Sequence, residues 1–260
     1  MDTGIRTLAE QDINALSPTQ QSQLGAAGTT ADGRRYRYVK FGGTSTIASG
    51  QLVVAPAVTA AYQGLALPAA GTTGQVTANL ATGATQIVVT NGATTITQDQ
   101  FAEGFLEVLV GAAGVTSSYT YKIKGNTADA VGSAAITIFL AEPTRHTTAL
   151  VAGTDTVNLN VSPFNGVNTS ATANVPVGFT VMPVPNTASV TNYGWVLTNG
   201  YVDVKNDAAG TIAVGTAIGQ SVSVAGAVRT ATASTSPIVG YSRVAINAST
   251  AGPVFVNISV

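Results

Sequence analysis

The sequence predicts an all-β protein built from sandwich-like or barrel-like domains, on three observations. Short runs rich in β-branched and aromatic residues recur along most of the 260-residue chain. Turn-forming clusters such as Asn91-Gly92, Gly111-Ala112-Ala113-Gly114 and Gly125-Asn126 separate them. Apolar residues at helical spacing are confined to the N-terminal stretch and one short internal segment.

Taken in order, residues 1–28 differ from everything after them. Ile5, Leu8, Asp12 and Leu16 are spaced by three or four, Ser17-Pro18 interrupts the pattern, and Gln20 to Leu24 allows one more turn before Gly25. The expectation is an N-terminal arm, extended or partly helical, with Ile5, Leu8, Ile13 and Leu16 as candidate contact residues. Ala31-Asp32-Gly33-Arg34 is a turn signal, because Asp-Gly tolerates positive φ. The strand Arg35–Phe41 follows. Its period of two puts Tyr36, Tyr38 and Lys40 on one face and Arg35, Arg37, Val39 and Phe41 on the other.

The same pattern continues through Gln51–Val54, Gln86–Thr90, Phe105–Val110, Tyr119–Lys124, Ala135–Leu140 and Thr156–Val161. After Pro163, Pro176, Pro183 and Pro185 it resumes at Tyr193–Leu197, Tyr201–Val204, Gly210–Val214, Ser221–Val224, Ile238–Ile246 and Val254–Val260. Only Gln98–Glu103 suggests a further short helix. The prolines mark the expected boundary between a β-rich domain, residues 29–170, and a smaller C-terminal β-domain, residues 171–260. Ile47-Ala48-Ser49-Gly50 and Ile212-Ala213-Val214-Gly215 look alike but are too short to establish a duplication.

Composition narrows the function classes. Charged residues make up 9% of the chain and hydrophobic residues 45%, against roughly 25% charge in an ordinary soluble domain. So little charge gives weak colloidal protection, which favours a surface covered by neighbours in an assembly. The formal net charge of −1 gives no global attraction to nucleic acid or to anionic membranes. No cysteine is present, so disulfides and thiolate metal sites are excluded. The N-terminus lacks the layout of a secretory signal, and no apolar run reaches the roughly 18 residues of a membrane span. The chain is expected to be made in a cytoplasm and to stay soluble until it assembles.

Catalytic patterns are sparse. The single histidine, His146, sits in Glu142-Pro143-Thr144-Arg145-His146-Thr147, expected to be an exposed loop, and no Gly-x-Ser-x-Gly elbow accompanies it. Glu103 and Glu107 would share a face but look like ordinary surface positions. Asp203, Asn206 and Asp207 lack the full ligand set of a calcium loop. No phosphate-binding or dinucleotide-binding glycine motif occurs. The expectation is a protein that is not an enzyme and carries no cofactor or metal. One cluster stands out: Arg34, Arg35, Arg37 and Lys40 are interleaved with Tyr36, Tyr38 and Phe41. Phosphate binding with base stacking would use such residues. A strand whose rings fill a core and whose arginines meet a partner protein is the favoured reading, since Arg and Tyr also populate interface hot spots.

The block from Thr30 to Lys40, followed by Ile47-Ala48-Ser49-Gly50-Gln51-Leu52, resembles the N-terminal part of structural proteins of tailed-phage heads. The middle stretches Gln100–Leu106, Tyr119–Asn126 and Pro163–Val167 are similar too. Ser236–Tyr241, leading into Val254-Phe255-Val256, looks like the closing strands of capsid decoration domains. The resemblance implies a virion protein of the decoration or cement type. Such a protein binds the outside of the major capsid protein shell and is often a homotrimer, with no nucleic-acid or membrane partner. The residues expected to make the contacts are the four of the arm together with Arg34, Arg35, Tyr36, Arg37, Tyr38, Lys40 and Phe41. The alternative is a phage fibre or adhesin-type β-protein that recognises host surface glycans.

Overall fold

The computed structural model describes residues 5–43, 45–67, 82–91, 94–111, 117–129, 135–145, 150–151, 154–186, 191–231 and 237–259. The chain forms two compact units: residues 1–57 with 163–260, and residues 58–162. In chain order the first unit opens with β1 (Arg6–Thr7), α1 (Glu10–Ile13), β2 (Ala27–Thr29), β3 (Arg35–Phe41) and β4 (Leu52–Val54). The second contains a 3-10 turn (Ala60–Tyr62), β5 (Leu65–Ala66), β6 (Gln86–Thr90), β7 (Phe105–Val110), β8 (Ser117–Asn126), β9 (Ala135–Leu140) and β10 (Thr156–Asn160). The first unit is completed by β11 (Asn165–Val167), β12 (Pro176–Thr180), β13 (Asn192–Lys205), β14 (Ala217–Gln220), β15 (Val228–Thr230), β16 (Ile238–Ser242) and β17 (Ala251–Asn257). The all-β class expected from the sequence is the observed one.

The first unit is an 11-stranded sheet organised by β13. The N-terminal half of β13 pairs antiparallel with β3, from Asn192↔Phe41 to Asn199↔Arg35. Its C-terminal half pairs with β17, from Asn199↔Asn257 to Lys205↔Ala251. β12 joins β13 to β4, and β17 continues through β16 and β14 to β15. Asn206, immediately after β13, bridges back to Val228 at the start of β15. That bridge brings β13, β17, β16, β14 and β15 into a nearly closed ring, of barrel-like shape.

Both faces of the β3–β13 region are covered. One carries Tyr36, Tyr38, Trp195 and Leu197 together with Leu8 and Ile13 of the N-terminal stretch. The other carries Val39, Phe41, Ile47, Val53, Val177, Val184 and Val196. Tyr-Gly-Trp-Val-Leu at 193–197 therefore reads as a continuous apolar run rather than an alternating one.

A turn recurs through the chain. A buried isoleucine is followed three residues later by a residue with positive φ, whose backbone N–H donates to a carbonyl at the end of another strand or just beyond it. Gly50 (φ 74) donates to Thr180 O and Gly215 (φ 75) to Ser242 O. Asp99 (φ 57) donates to Asn126 O and Ser249 (φ 60) to Asp207 O. The isoleucines are Ile47, Ile212, Ile96 and Ile246, and Ile212 and Ile246 bridge each other. A side chain fastens the turn from outside: Thr180 Oγ1 donates to Ala48 O (2.7 Å), Asn126 Nδ2 to Thr97 O (2.9 Å) and Asn206 Nδ2 to Asn247 O (2.9 Å). The likeness of 47–50 to 212–215 is thus one instance of a shared local structure.

The second unit is a six-stranded antiparallel sheet in the order β5-β10-β7-β8-β9-β6. β8 pairs with β7 through Ser117–Lys122 and with β9 through Ile123–Asn126, the latter with a register shift between Ile123 and Gly125. Phe101, Leu106, Val108, Ile123, Ile136, Ile138, Val157 and Leu159 form its core.

Several expectations are corrected. The division into 29–170 and 171–260 fails because β3 and β13 belong to one sheet, so the proline segment lies inside the first unit. Pro176 there is the first residue of β12, a position that asks for no backbone donor. The described part of the expected 1–28 arm, residues 5–28, is integral to that unit, with Leu8, Ile13 and Leu24 in its core, and its helix is limited to Glu10–Ile13. Gln98–Glu103 forms turns with positive φ at Asp99 and Glu103 instead of a helix. Residues 210–214 form no strand beyond an isolated Ile212 bridge, and 221–224 are bends rather than a strand.

Candidate interaction surfaces

The β2–β3 hairpin is set by its turn. Gly33 (φ 88) allows Gly33 N–H to donate to Thr30 O, and Thr30 N–H to Arg34 O. Asp32 accepts from Thr30 Oγ1 (2.5 Å), from Arg34 Nε (2.6 Å) and from Arg34 N–H (3.3 Å). The Thr30 hydroxyl, aided by Arg34 and only partly opposed by desolvation, holds the Asp32 carboxyl below the ordinary aspartate value. Arg34 also pairs with Glu10 of α1 and lies 6.0 Å from the Tyr36 ring centroid. Arg34 is therefore spoken for within the unit.

Exposure alternates along β3 only as far as Tyr38, after which Val39 and Phe41, on the arginine side of the strand, are buried as well. Tyr36, Tyr38 and Phe41 are 1%, 3% and 3% exposed, and Leu8 and Ile13 are equally interior. These five are core residues and offer no surface to a partner. Tyr38 packs edge-on against Trp195 (5.1 Å) and its hydroxyl accepts from Gln21 N–H. The Tyr36 hydroxyl is buried with no hydrogen-bond partner, and burial pushes its pKa up to about 12. Leu16 is half-buried against the second apolar cluster. Ile5 and Arg35 are exposed, while Arg37 and Lys40 are partly so.

A surface the sequence did not single out lies on the outer face of the ring. Tyr201, Phe255 and Tyr241 are direct cross-strand neighbours on β13, β17 and β16. Tyr201 and Tyr241 are 54% and 48% exposed, and Ile238 is 54% exposed. The Tyr201 and Phe255 rings meet edge-on at 5.2 Å, and Arg243 lies 5.9 Å from the Tyr201 ring centroid. Each of the three lies in a run that the sequence marked as a strand. What was missing was the register that aligns three strands into one row.

The candidate chemical groups do not converge. Glu103 sits in a turn, and Glu107 on β7 accepts from Asn158 Nδ2 (3.3 Å). Asp203 is exposed, whereas Asn206 and Asp207 are buried. Asn206 donates to three carbonyls, and Asp207 accepts from Ser221 Oγ (2.7 Å) and Ala209 N–H (2.9 Å). Among the described residues, no group of three or more potential metal ligands comes together. His146 lies outside the described residues. No helix of the described residues is long and apolar enough to cross a membrane.

Comparison of the chain with protein families, with curated proteins and with solved structures finds no match.

Proposed function

We propose that this chain is a virion structural protein that binds the outer surface of a capsid shell and stabilises it, in the manner of a cement or decoration protein. The observation that carries the reading is the Tyr201–Phe255–Tyr241 row, with both tyrosines exposed and Phe255 half-buried between them, on a chain only 9% charged. A contiguous aromatic face with a flanking arginine is the composition of a protein-binding hot spot. The resemblance to tailed-phage head proteins supplies the shell as the partner. Self-association into a trimer would multiply modest contacts through effective concentration.

The test adds purified protein to undecorated shells and measures co-sedimentation and the temperature at which the shells open. Saturable binding with a raised opening temperature is expected, and Tyr201→Ala with Tyr241→Ala weakens both. No binding and no stabilisation reject the reading. Binding to cell-surface glycans in the absence of shell binding selects the adhesin reading instead.

A further inference from the structure

A cleft in the second unit lies where β8 loses a neighbour. β9 pairs with β8 from Ile123 to Asn126, and Ala141 N–H donates to Lys122 O (2.9 Å). Pro143, which has no N–H, then ends the pairing. Among the described residues, Ser117–Tyr121 have β7 as their one strand partner. The cleft beside this edge measures about 390 Å³, at the small end of ligand sites, which run roughly 300–1,000 Å³.

The period of two sends Thr120 and Lys122 to the outer face of β8 and Tyr119 and Tyr121 to the inner one. All four line the cleft, which therefore wraps around the strand edge. On the outer side Phe105, 37% exposed, lies directly opposite Lys122 on β7. Lys122 Nζ sits 4.8 Å from the Phe105 ring centroid and donates to Glu103 O (2.6 Å). It has no carboxylate in ion-pair contact among the described residues. Desolvation lowers its pKa, and the charge of Glu103 opposes that only in part. Two of its three N–H donors are left for another acceptor. Glu107, opposite Thr120 on the same face, is engaged toward β10 by Asn158 Nδ2 (3.3 Å) and does not line the cleft.

The rim is polar. Glu142 and Arg145 form an exposed ion pair, of the kind that contributes little and is readily exchanged. Arg145 is placed there by its N–H, which donates to the Tyr121 hydroxyl (3.1 Å). The cleft thus asks for three things at once. Lys122 and Arg145 call for an anionic group, Glu142 and Thr120 for hydroxyl partners, and Phe105 for an apolar face. A simple anion lacks the last two, and an aromatic acid lacks the hydroxyls. A sugar ring that carries a carboxylate has all three.

We infer that this cleft is a binding site for an acidic sugar, with the carboxylate on Lys122, the ring against Phe105 and the hydroxyls on Thr120 and the Glu142–Arg145 rim. The site goes beyond the shell-binding reading and does not depend on it. Every residue lining the cleft belongs to the second unit, whereas the Tyr201–Phe255–Tyr241 row belongs to the first.

Isothermal titration calorimetry of the full chain tests this with two acidic sugars, sialyllactose and tetragalacturonate. Their neutral counterparts are lactose and the fully methyl-esterified tetramer, and succinate is an anion without a sugar ring. At least one acidic sugar is expected to bind, with its neutral counterpart and succinate about tenfold weaker or not binding at all. Lys122→Met keeps the apolar stem and removes the charge, whereas Arg145→Gln alters only an exposed side chain at the rim. Affinity falls by about tenfold in K122M and by a smaller factor in R145Q, with circular dichroism unchanged. No binding of either acidic sugar, unchanged affinity in both variants, or succinate binding as tightly as the sugar each overturns the inference. Undecorated shells keep the two claims apart. K122M is expected to bind them as the wild type does, and a chain that ignores shells yet loses its sugar in K122M rejects the assembly reading alone.

Discussion

Replacing Tyr36 by Phe is expected to stabilise the first unit, although the residue is almost wholly buried at the centre of the β2–β3–β13 region. The Tyr36 hydroxyl has no hydrogen-bond partner and the residue is 1% exposed. Leaving a buried polar group unpaired costs about 1–3 kcal/mol. Phenylalanine keeps the ring, its packing against the core and the Arg34 contact at 6.0 Å, and removes only the oxygen. Y36F is therefore more stable than wild type by about 1–3 kcal/mol at pH 7.

The same hydroxyl carries a pH signature. Its pKa is raised by burial from the ordinary 10 to about 12. The fold favours the neutral phenol, so this contribution is fully present below about pH 10, where folded and unfolded chains are both protonated. It is lost as pH rises from about 10 through 12, because the unfolded chain ionises first. The gap between Y36F and wild type then widens by about 1 kcal/mol at pH 11 and approaches about 3 kcal/mol beyond pH 12. Tyr38, also raised by burial, is common to both proteins and cancels. The assay is urea unfolding followed by Trp195, the chain's single tryptophan, which lies in this core beside Tyr38. A loss of 1 kcal/mol or more in Y36F at pH 7 (the scale of a satisfied hydrogen bond), or a gap that does not change between pH 9 and 11, refutes the reasoning.

The recurrent turn gives a matched pair of substitutions. A Cβ on Gly50 would lie 2.1 Å from Asp203 O at a φ of +74, whereas Gly215, at +75, has open space. Gly50→Ala is expected to cost about 3 kcal/mol or more and Gly215→Ala about 1 kcal/mol; equal losses in urea titrations reject the steric distinction. Asp32→Asn tests the hairpin turn. The Asp32 pKa is depressed chiefly by the Thr30 hydroxyl, with Arg34 adding to it. The stability it contributes is present above the ordinary aspartate value and is lost as pH falls through the lower folded value. The Asn variant is therefore less stable at pH 7, and the difference closes in acid. A difference independent of pH rejects it.

Strands bounded by clear turn signals were legible in the sequence. Gln86–Thr90, Phe105–Val110, Ala135–Leu140 and Arg35–Phe41 are observed with the limits their patterns suggest. What failed was non-local. Two separate runs at 193–197 and 201–204 are one strand, because Thr198–Gly200 continues through a register shift. β12 was hidden by Pro176, which reads as a break but serves as a strand start. For β3 the period of two correctly separated Tyr36 and Tyr38 from Arg35 and Arg37, yet periodicity cannot say which face is covered. That is decided by Leu8, Ile13 and Trp195, which are distant in sequence. The Tyr201–Phe255–Tyr241 row depends on two registers and so has no local signature.

This outcome changes which residues support an assembly role. With Leu8, Ile13, Tyr36, Tyr38 and Phe41 inside, the N-terminal stretch and β3 act first as scaffold. Arg34 is held by Glu10 and Asp32. What remains for a partner on β3 is its arginine face, and that face meets Asn199 and Asn257 only because β13 pairs with β3 and β17 in succession. The same strand carries Tyr201 onto the outer aromatic row. β13 thus links the two surfaces: Asn199, where its two halves meet, joins the Arg35 row, and its second half carries the apolar row. A partner engaging both would meet a charged contact that fixes orientation and an aromatic contact that supplies most of the affinity. Salt should therefore weaken shell binding only in part, whereas Tyr201→Ala with Tyr241→Ala should weaken it at every salt concentration.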